Sequence, residues 1–362
     1  MILKTYQTYI IKNYLTILLK ISLIFLSLVM ILNVFEEINF FKDSEVSIAI
    51  ILTLTIINAP SILYEIFPFI FLITTQFLFI KLIENDELIL FKSYGLNNLK
   101  LLTILTSVSF IMGICLIALF YNFSSKLKFI YFDIKNDFTE DNKYLAVITE
   151  NGIWMKDEIE KRINIIDAKE IDKNILIDIN INQFEKDTFN LVKTIHAKKA
   201  DVRNKKWVLK DISVRKNNFD VEKYKELNFN SNFDIKKING LFENLSSLTY
   251  WELKDLEKEL KKLGYSTLEI KLHNQKIYSY PFFLAIMTLF SGIIMLNIKT
   301  SNRPKFVYVL IGILVSVLTY YVNYLSGVLG QNAKIPIYTS VWTPIIFFMF
   351  ISIIGMVRIN EK

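Results

Sequence analysis

The stretch "ILYEIFPFIFLITTQFLFIKLIENDELILFKSYGLNNLKLLTILTSVSFIMGICLIALFYNF", Ile62 to Phe123, decides the fold of this chain. It opens with an apolar run from about Ile62 to Leu82 and closes with a second from about Leu99 to Phe123. A helix needs about 20 mostly apolar residues to cross the hydrocarbon of a bilayer, and each run meets that length. A short polar connector separates them. The segment predicts two membrane spans joined by a hairpin.

Upstream, the apolar region Val46 to Ile80 is too long for one span and is interrupted by Pro60, Glu65 and Pro68. Proline disrupts a helix interior but suits a first turn. The expectation is a short amphiphilic piece at the membrane surface, then a span that starts near Pro60. Before it, an apolar run from about Tyr14 to Phe35 is entered through Lys12 and Lys20 and followed by the acidic "EEINFFKDSE", Glu36 to Glu45. No small-residue cleavage site follows this run, so it reads as a retained anchor. Downstream, three more spans are expected at about Tyr278 to Ile298, Lys305 to Leu325 and Ser340 to Val357.

Between the two sets of three spans the sequence changes character. "KYLAVITENGIWMKD" (Lys143 to Asp157), "RINIIDA" (Arg162 to Ala168), "NILIDININ" (Asn174 to Asn182) and "KKWVLKDISVRK" (Lys205 to Lys216) are short β-branched runs with polar alternation. That is the pattern of an antiparallel sandwich or roll. "ADVRNKKWVLKD", Ala200 to Asp211, reads as strand, turn, strand with Trp207 pointing inward. "LTYWELKDLEKELKKLGY", from Leu248, has helical periodicity and stops at Gly264, as a C-terminal glycine cap would.

Composition agrees with this division. The 362 residues are 52% hydrophobic, more than a soluble domain of this size buries, yet 21% are charged. The charges are segregated: Lys126 to Glu269 holds 27 of the 42 basic and 26 of the 35 acidic residues. That near-neutral stretch offers no nucleic-acid footprint. The basic surplus lies beside the spans, at Lys4 and Lys12, at Lys299, Arg303 and Lys305, and at Arg358 and Lys362. By the positive-inside rule these positions, and both termini, are cytoplasmic, and the β domain lies outside.

Missing motifs exclude most enzymes. There is no G-x-x-x-x-G-K-[ST] loop, no H-E-x-x-H, no G-x-S-x-G elbow and no Cys/His metal spacing. Convergent His, Asp or Glu on adjacent spans, which a lipid-modifying transferase would need, is not evident. His196 is expected on a strand surface and His273 at the membrane interface. The single cysteine, Cys115, reads as a small core or lipid-facing residue.

Three groups of residues carry candidate function. The connector "LIENDELILFKSYGLNN", Leu82 to Asn98, places Glu84, Asp86 and Glu87 before a short apolar run and ends at Gly95. Acids at a helix start and glycine at its end describe a short capped helix. It reads either as a plain hairpin or as a coupling helix that offers Glu87 to a soluble ATPase. Glu36, Glu37, Lys42 and Glu65 put charge at or near the membrane, which is costly and commonly functional, although solvation at the outer interface explains it equally. Tyr320, Tyr321 and Tyr324 read either as the lining of a substrate path or as an interfacial aromatic belt.

In order and spacing, these features resemble the lipopolysaccharide export permeases of the LptF/LptG family. The resemblance rests on "NAPSILYEIFPF" (Pro60 and Pro68), "NDELILFKSYGL" (Glu87 and Gly95), "NGIWMKD" opening the β domain, "ADVRNKKWVLKD", and "LHNQKIYSYPF" leading into the fourth span. It covers essentially the whole chain, and "NGIWMKD" looks more like the G-type subunit. It implies a six-helix membrane protein with an inserted all-β periplasmic domain, a β-jellyroll, between helices 3 and 4. The expected parts are residues 1–125 with a coupling helix at about 84–97, a β domain at 126–270 ending in a helix, and residues 271–362.

The same resemblance implies a permease subunit with no catalytic site or cofactor of its own, in the bacterial inner membrane. ATP and Mg would be used by a partner, a cytoplasmic ABC ATPase dimer. The other implied partners are a homologous F-type subunit, lipopolysaccharide, and a single-span accessory protein with a periplasmic jellyroll. Lipid would enter sideways from the outer leaflet, between the first span of one subunit and the fifth of the other, and leave over a periplasmic bridge toward the outer membrane. Glu87 matches the family's acidic coupling position, with Leu88 and Gly95 in the same motif and Glu84 just before it. Lys42, Glu36, Tyr320, Tyr321 and Tyr324 would meet the lipid. One departure stands out: G-type members carry several basic residues near the outer end of the first span, whereas "VFEEINFFKDSE" offers only Lys42 among acids. A membrane receptor or assembly scaffold with a ligand-binding β domain is the alternative reading. A four-span exporter permease does not fit, because its external domain follows the first span.

Overall fold

The computed structural model describes residues 4–42, 46–136, 138, 153–159, 162–172, 174–186, 188–216, 221–233, 244–262, 267–297 and 304–360. The chain divides into two compact units. One comprises Met1–Lys128 with Leu268–Lys362, and the other is Phe129–Thr267. Among the described residues, six helices are long and apolar enough to cross a membrane.

In the first unit, α1 (Thr5–Phe40), α2 (Ile48–Glu84), α3 (Glu87–Ser93) and α4 (Asn98–Cys115) follow in order. A π-helical segment, Leu116–Tyr121, leads from α4 into α5 (Asn122–Asn136) without a break, so the third span is far longer than its apolar run. The last three spans are α7 (Leu268–Leu296), α8 (Lys305–Gln331) and α9 (Ile337–Asn360); α6 belongs to the second unit. Helices α2 and α7 form the centre, with 67% and 78% of their most apolar stretches buried, against 17% for α1 and 22% for α8.

The two-piece reading of Val46–Ile80 is corrected: α2 is one unbroken helix with Pro60 and Pro68 inside it. A break in hydrocarbon would leave several backbone groups without partners, whereas a proline removes only one helical bond. Pro68 deprives the Tyr64 carbonyl of its amide, and the Tyr280 hydroxyl donates to that carbonyl at 2.7 Å. The ring of Tyr64 stacks on Tyr280 and also meets Tyr121, at the end of the π segment.

Polar side chains inside the bundle are placed where they bond across helices, as lipid burial demands. The Tyr14 hydroxyl of α1 lies 2.9 Å from Ser109 Oγ and 3.4 Å from Thr288 Oγ1, joining α1, α4 and α7. Asn58 donates to Asn33, and Asn33 donates to the Thr55 carbonyl, joining α1 and α2. Gln76 of α2 donates to the Tyr308 and Val309 carbonyls of α8. That approach requires Gly312, because a Cβ there would fall 1.8 Å from Gln76 Nε2.

The second unit is the expected all-β insertion. Strands β1 (Ile153–Ile159), β2 (Arg162–Asp172), β3 (Ile175–Glu185), β4 (Leu191–Asp201), β5 (Lys206–Lys216) and β6 (Val221–Asn230) form one antiparallel sheet in chain order. The turn between β4 and β5 lies where it was read. Trp207 is fully buried and its indole N–H donates to the Phe233 carbonyl at 2.8 Å.

A crease runs across this sheet. The pairing omits one rung between every neighbouring pair from β2 to β6, and that rung carries Lys169, Asp178, Lys198, Asp211 and Lys225. All five are exposed, and their charges alternate in sign. Asp178 and Asp211 have φ of 55° and 53°, a left-handed conformation that Asp tolerates better than most residues. Inward apolar positions are two apart on either side of the rung but three apart across it: Leu176 and Ile179, Ala197 and Ala200, Leu209 and Ile212. The slip turns the strands without exposing either half of the apolar face.

Helix α6 (Tyr250–Lys262) follows the sheet, opened by a capping pair in which the Thr249 N–H donates to Glu252 Oε2 at 2.8 Å. The Gly264 cap, the strand expected over Lys143 to Gly152, and the cations Lys299, Arg303 and Lys362 lie outside the described residues.

Candidate functional site

The site begins with the turn after α2. Asp86, at φ 56°, reverses the chain, and α3 starts with Glu87, where a carboxylate favours the exposed amides of the first turn. Its C-terminus closes with two bonds, Gly95 N–H to the Lys92 carbonyl and Leu96 N–H to the Phe91 carbonyl, both 3.0 Å. This is the Schellman arrangement, and it needs the left-handed φ of 79° that Gly95 supplies. Leu88 is 3% exposed and packs into the bundle core, so it anchors α3. Ile89, Leu90 and Tyr94 are exposed.

Glu87 is half-buried. The Tyr9 hydroxyl of α1 reaches both of its carboxylate oxygens, at 2.9 and 3.0 Å, and Asn85 Nδ2 donates to Oε1 at 3.1 Å. A second contact lies beside it: Lys81 Nζ donates to Asn13 Oδ1 at 2.7 Å, joining α2 to α1. Among the described residues Glu87 has no cation within ion-pair distance, and its partners are two neutral donors. A half-buried carboxylate held only by neutral donors retains its attraction for a positive charge.

The carboxylate faces a groove of about 980 Å³ between the start of α1 and α3. Tyr6, Tyr9, Leu90, Phe91 and Tyr94 give it an aromatic and apolar wall, Gly95 and Leu96 close one end, and Lys4 and Lys100 also line it. The structure thus brings Glu87 and Gly95 together. Glu84 stands apart from the groove lining and pairs with Lys305 of α8 at 3.0 Å.

The other expected site residues lie elsewhere. Glu36 and Lys42 are exposed near the end of α1, with Glu37 fully buried between them in sequence. Tyr320, Tyr321 and Tyr324 are 54%, 57% and 54% exposed on α8. Tyr320 also lines a smaller cavity of about 320 Å³ with Glu65, Pro68, Met287 and Ser316. Glu65 is paired with Lys128 at 3.7 Å. His196 sits on β4 against Asn180 and Asp178, and His273 meets the Tyr121 hydroxyl at 2.9 Å. No group of His, Cys, Asp or Glu among the described residues could hold a metal ion. Cys115 is exposed on its helix.

The sequence does not mark Tyr9, the closest partner of Glu87, nor Tyr94 and Lys100 as site residues, and it marks Lys4 only as an orienting charge. Tyr9 lies 78 residues from Glu87, and nothing local marks the pairing. The only available signal was Tyr6 and Tyr9 one helical turn apart beside a basic N-terminus.

Comparison with known proteins adds two findings. The family model described as "Lipopolysaccharide export system permease LptF/LptG" matches residues 8–358, nearly the whole chain. A protein described as "Uncharacterized protein RP871", from Rickettsia prowazekii (strain Madrid E), is 26% identical over 179 residues. That alignment covers 47% of this chain and 46% of the relative, so the match spans just under half the relative's length.

Proposed function

Because this chain belongs to the LptF/LptG family of lipopolysaccharide export permeases, we propose that it is one permease half, of the G type, of a lipid exporter driven by a separate ATPase. It extracts lipopolysaccharide from the inner membrane and passes it to a periplasmic bridge toward the outer membrane. Both termini and α3 face the cytoplasm, and the β domain faces the periplasm. An F-type subunit completes the membrane cavity, a cytoplasmic ABC ATPase dimer docks at α3, and a single-span protein with its own jellyroll receives the lipid.

One observation carries this reading. In a chain with no nucleotide-binding motif, Glu87 is presented half-buried at the edge of a wide groove, held by neutral donors and, among the described residues, without a cation partner. A docking partner with a positive side chain meets that need, and ATP-driven movement of such a partner would be felt by the helices on which α3 is mounted. The low burial of α1 and α8 supports a partner subunit or lipid against these two helices. At the other end of α1, Lys42 alone offers a cation to lipid phosphates, so the F-type subunit supplies the rest.

The test is Glu87→Ala, co-expressed with the F-type subunit and the ATPase. The ATPase is expected to be lost from the purified complex and lipid release to fall with it. Unchanged assembly and unchanged release would refute the assignment of α3.

A further inference from the structure

Glu87 is bound to α1 as firmly as to its own connector. Tyr9 spans both carboxylate oxygens, at 2.9 and 3.0 Å, and its ring lies edge-on to Phe91 of α3 at 6.4 Å. The adjoining Lys81–Asn13 bond ties α1 to α2 one turn along. Beyond this end most of α1 faces outward, with only 17% of its most apolar stretch buried. A displacement of the Glu87 carboxylate therefore reaches α1 first through the Tyr9 hydroxyl.

We propose that Tyr9 is a positioning residue that transmits the docking of a cation on Glu87 to α1, so that engagement of the ATPase moves the first span. This rests on the proposed docking at α3. A carboxylate has acceptor room for the Tyr9 hydroxyl, Asn85 and one incoming guanidinium or ammonium group. When that cation arrives, the charge-assisted bonds it forms compete with the neutral bond from Tyr9. The hydroxyl either follows the carboxylate, carrying α1 with it, or lets go and frees the end of α1. In both cases the state of the Tyr9–Glu87 bond reports the docked cation to the first span.

The variant that isolates this role is Tyr9→Phe, which keeps the ring against Phe91 and removes only the hydroxyl. The full complex, with its F-type subunit and ATPase, would be placed in nanodiscs containing lipopolysaccharide. Two quantities would be read: affinity for the ATPase, and ATP hydrolysed per lipid extracted. Tyr9→Phe is expected to retain the ATPase while ATP consumed per lipid rises several-fold. An unchanged ratio in Tyr9→Phe, or a loss of ATPase affinity equal to that of Glu87→Ala, would overturn the transmission role. Normal ATPase binding by Glu87→Ala would overturn the docking assignment instead, so the two failures are distinguishable.

Discussion

The hydroxyl of Tyr280 in α7 donates to the carbonyl of Tyr64 in α2 at 2.7 Å, on the acceptor that Pro68 leaves without an amide. A helix interrupted by proline is thereby kept continuous by a residue 216 positions away. Tyr280→Phe should lower the stability of the detergent-solubilised protein by about 1–2 kcal/mol, the cost of leaving a buried acceptor unpaired. Pro68→Ala restores an amide to the same carbonyl. In that background the cost of Tyr280→Phe should nearly vanish in thermal unfolding; an equal cost in both backgrounds would locate the effect of Tyr280 in its packing.

Gly312 and Gln76 test the contact between α2 and α8. A methyl at Gly312 would overlap the Gln76 amide, whose Nε2 bonds two α8 carbonyls. Gly312→Ala should destabilise by about 2–3 kcal/mol through overpacking and a lost bond. Gln76→Ala should cost less than that and should render Gly312→Ala close to neutral. Melting curves of the four proteins give the coupling directly.

The crease in the sheet makes a prediction about backbone alone. Asp211 is exposed at φ 53°, so Asp211→Gly should be neutral or stabilising, whereas Asp211→Val should cost about 1–2 kcal/mol, as a β-branched residue is forced into the left-handed region. Rates of limited proteolysis within residues 153–233 would rank the variants. Equal sensitivity of the Gly and Val forms would show that the conformation at this rung is not required.

Gly95 offers the parallel test at the site. Its φ is 79° and an added Cβ would meet nothing within 4 Å, so only backbone strain separates it from alanine. Gly95→Ala should fray the end of α3 at a cost of about 1 kcal/mol, and Gly95→Asn should cost less. Hydrogen exchange at the Leu96 amide, whose bond to Phe91 closes the helix, reports this locally.

These contrasts show what could be read from the chain alone. The spans were legible because each is an apolar run long enough for the bilayer. Their ends were not, since α7 begins at Leu268 and α5 reaches Asn136, well beyond the apolar residues. The span start expected near Pro60 failed because α2 runs through both prolines; at Pro68 the freed carbonyl is bonded by Tyr280, a partner that a local reading of proline cannot reveal. The strands were legible as alternating runs, but the slip at Asp178 hides inside "ILIDININ", because Ile175, Ile177, Ile179 and Ile181 alternate without a break while the buried series runs Leu176, Ile179, Ile181. At the site, Glu87 and Gly95 announced themselves through local capping chemistry. Tyr9 did not, because its partnership exists only after α1 and α3 have packed.

The central claim is that this bundle moves lipid while hydrolysis takes place on another polypeptide docked at α3. A photo-crosslinking residue in place of Leu90, which is 52% exposed on the groove wall, tests it most directly in whole cells. The account predicts a single major adduct containing this chain and a soluble ABC ATPase, lost on Glu87→Ala. An adduct with a periplasmic protein, or an ATPase that co-purifies yet never crosslinks from position 90, would contradict it.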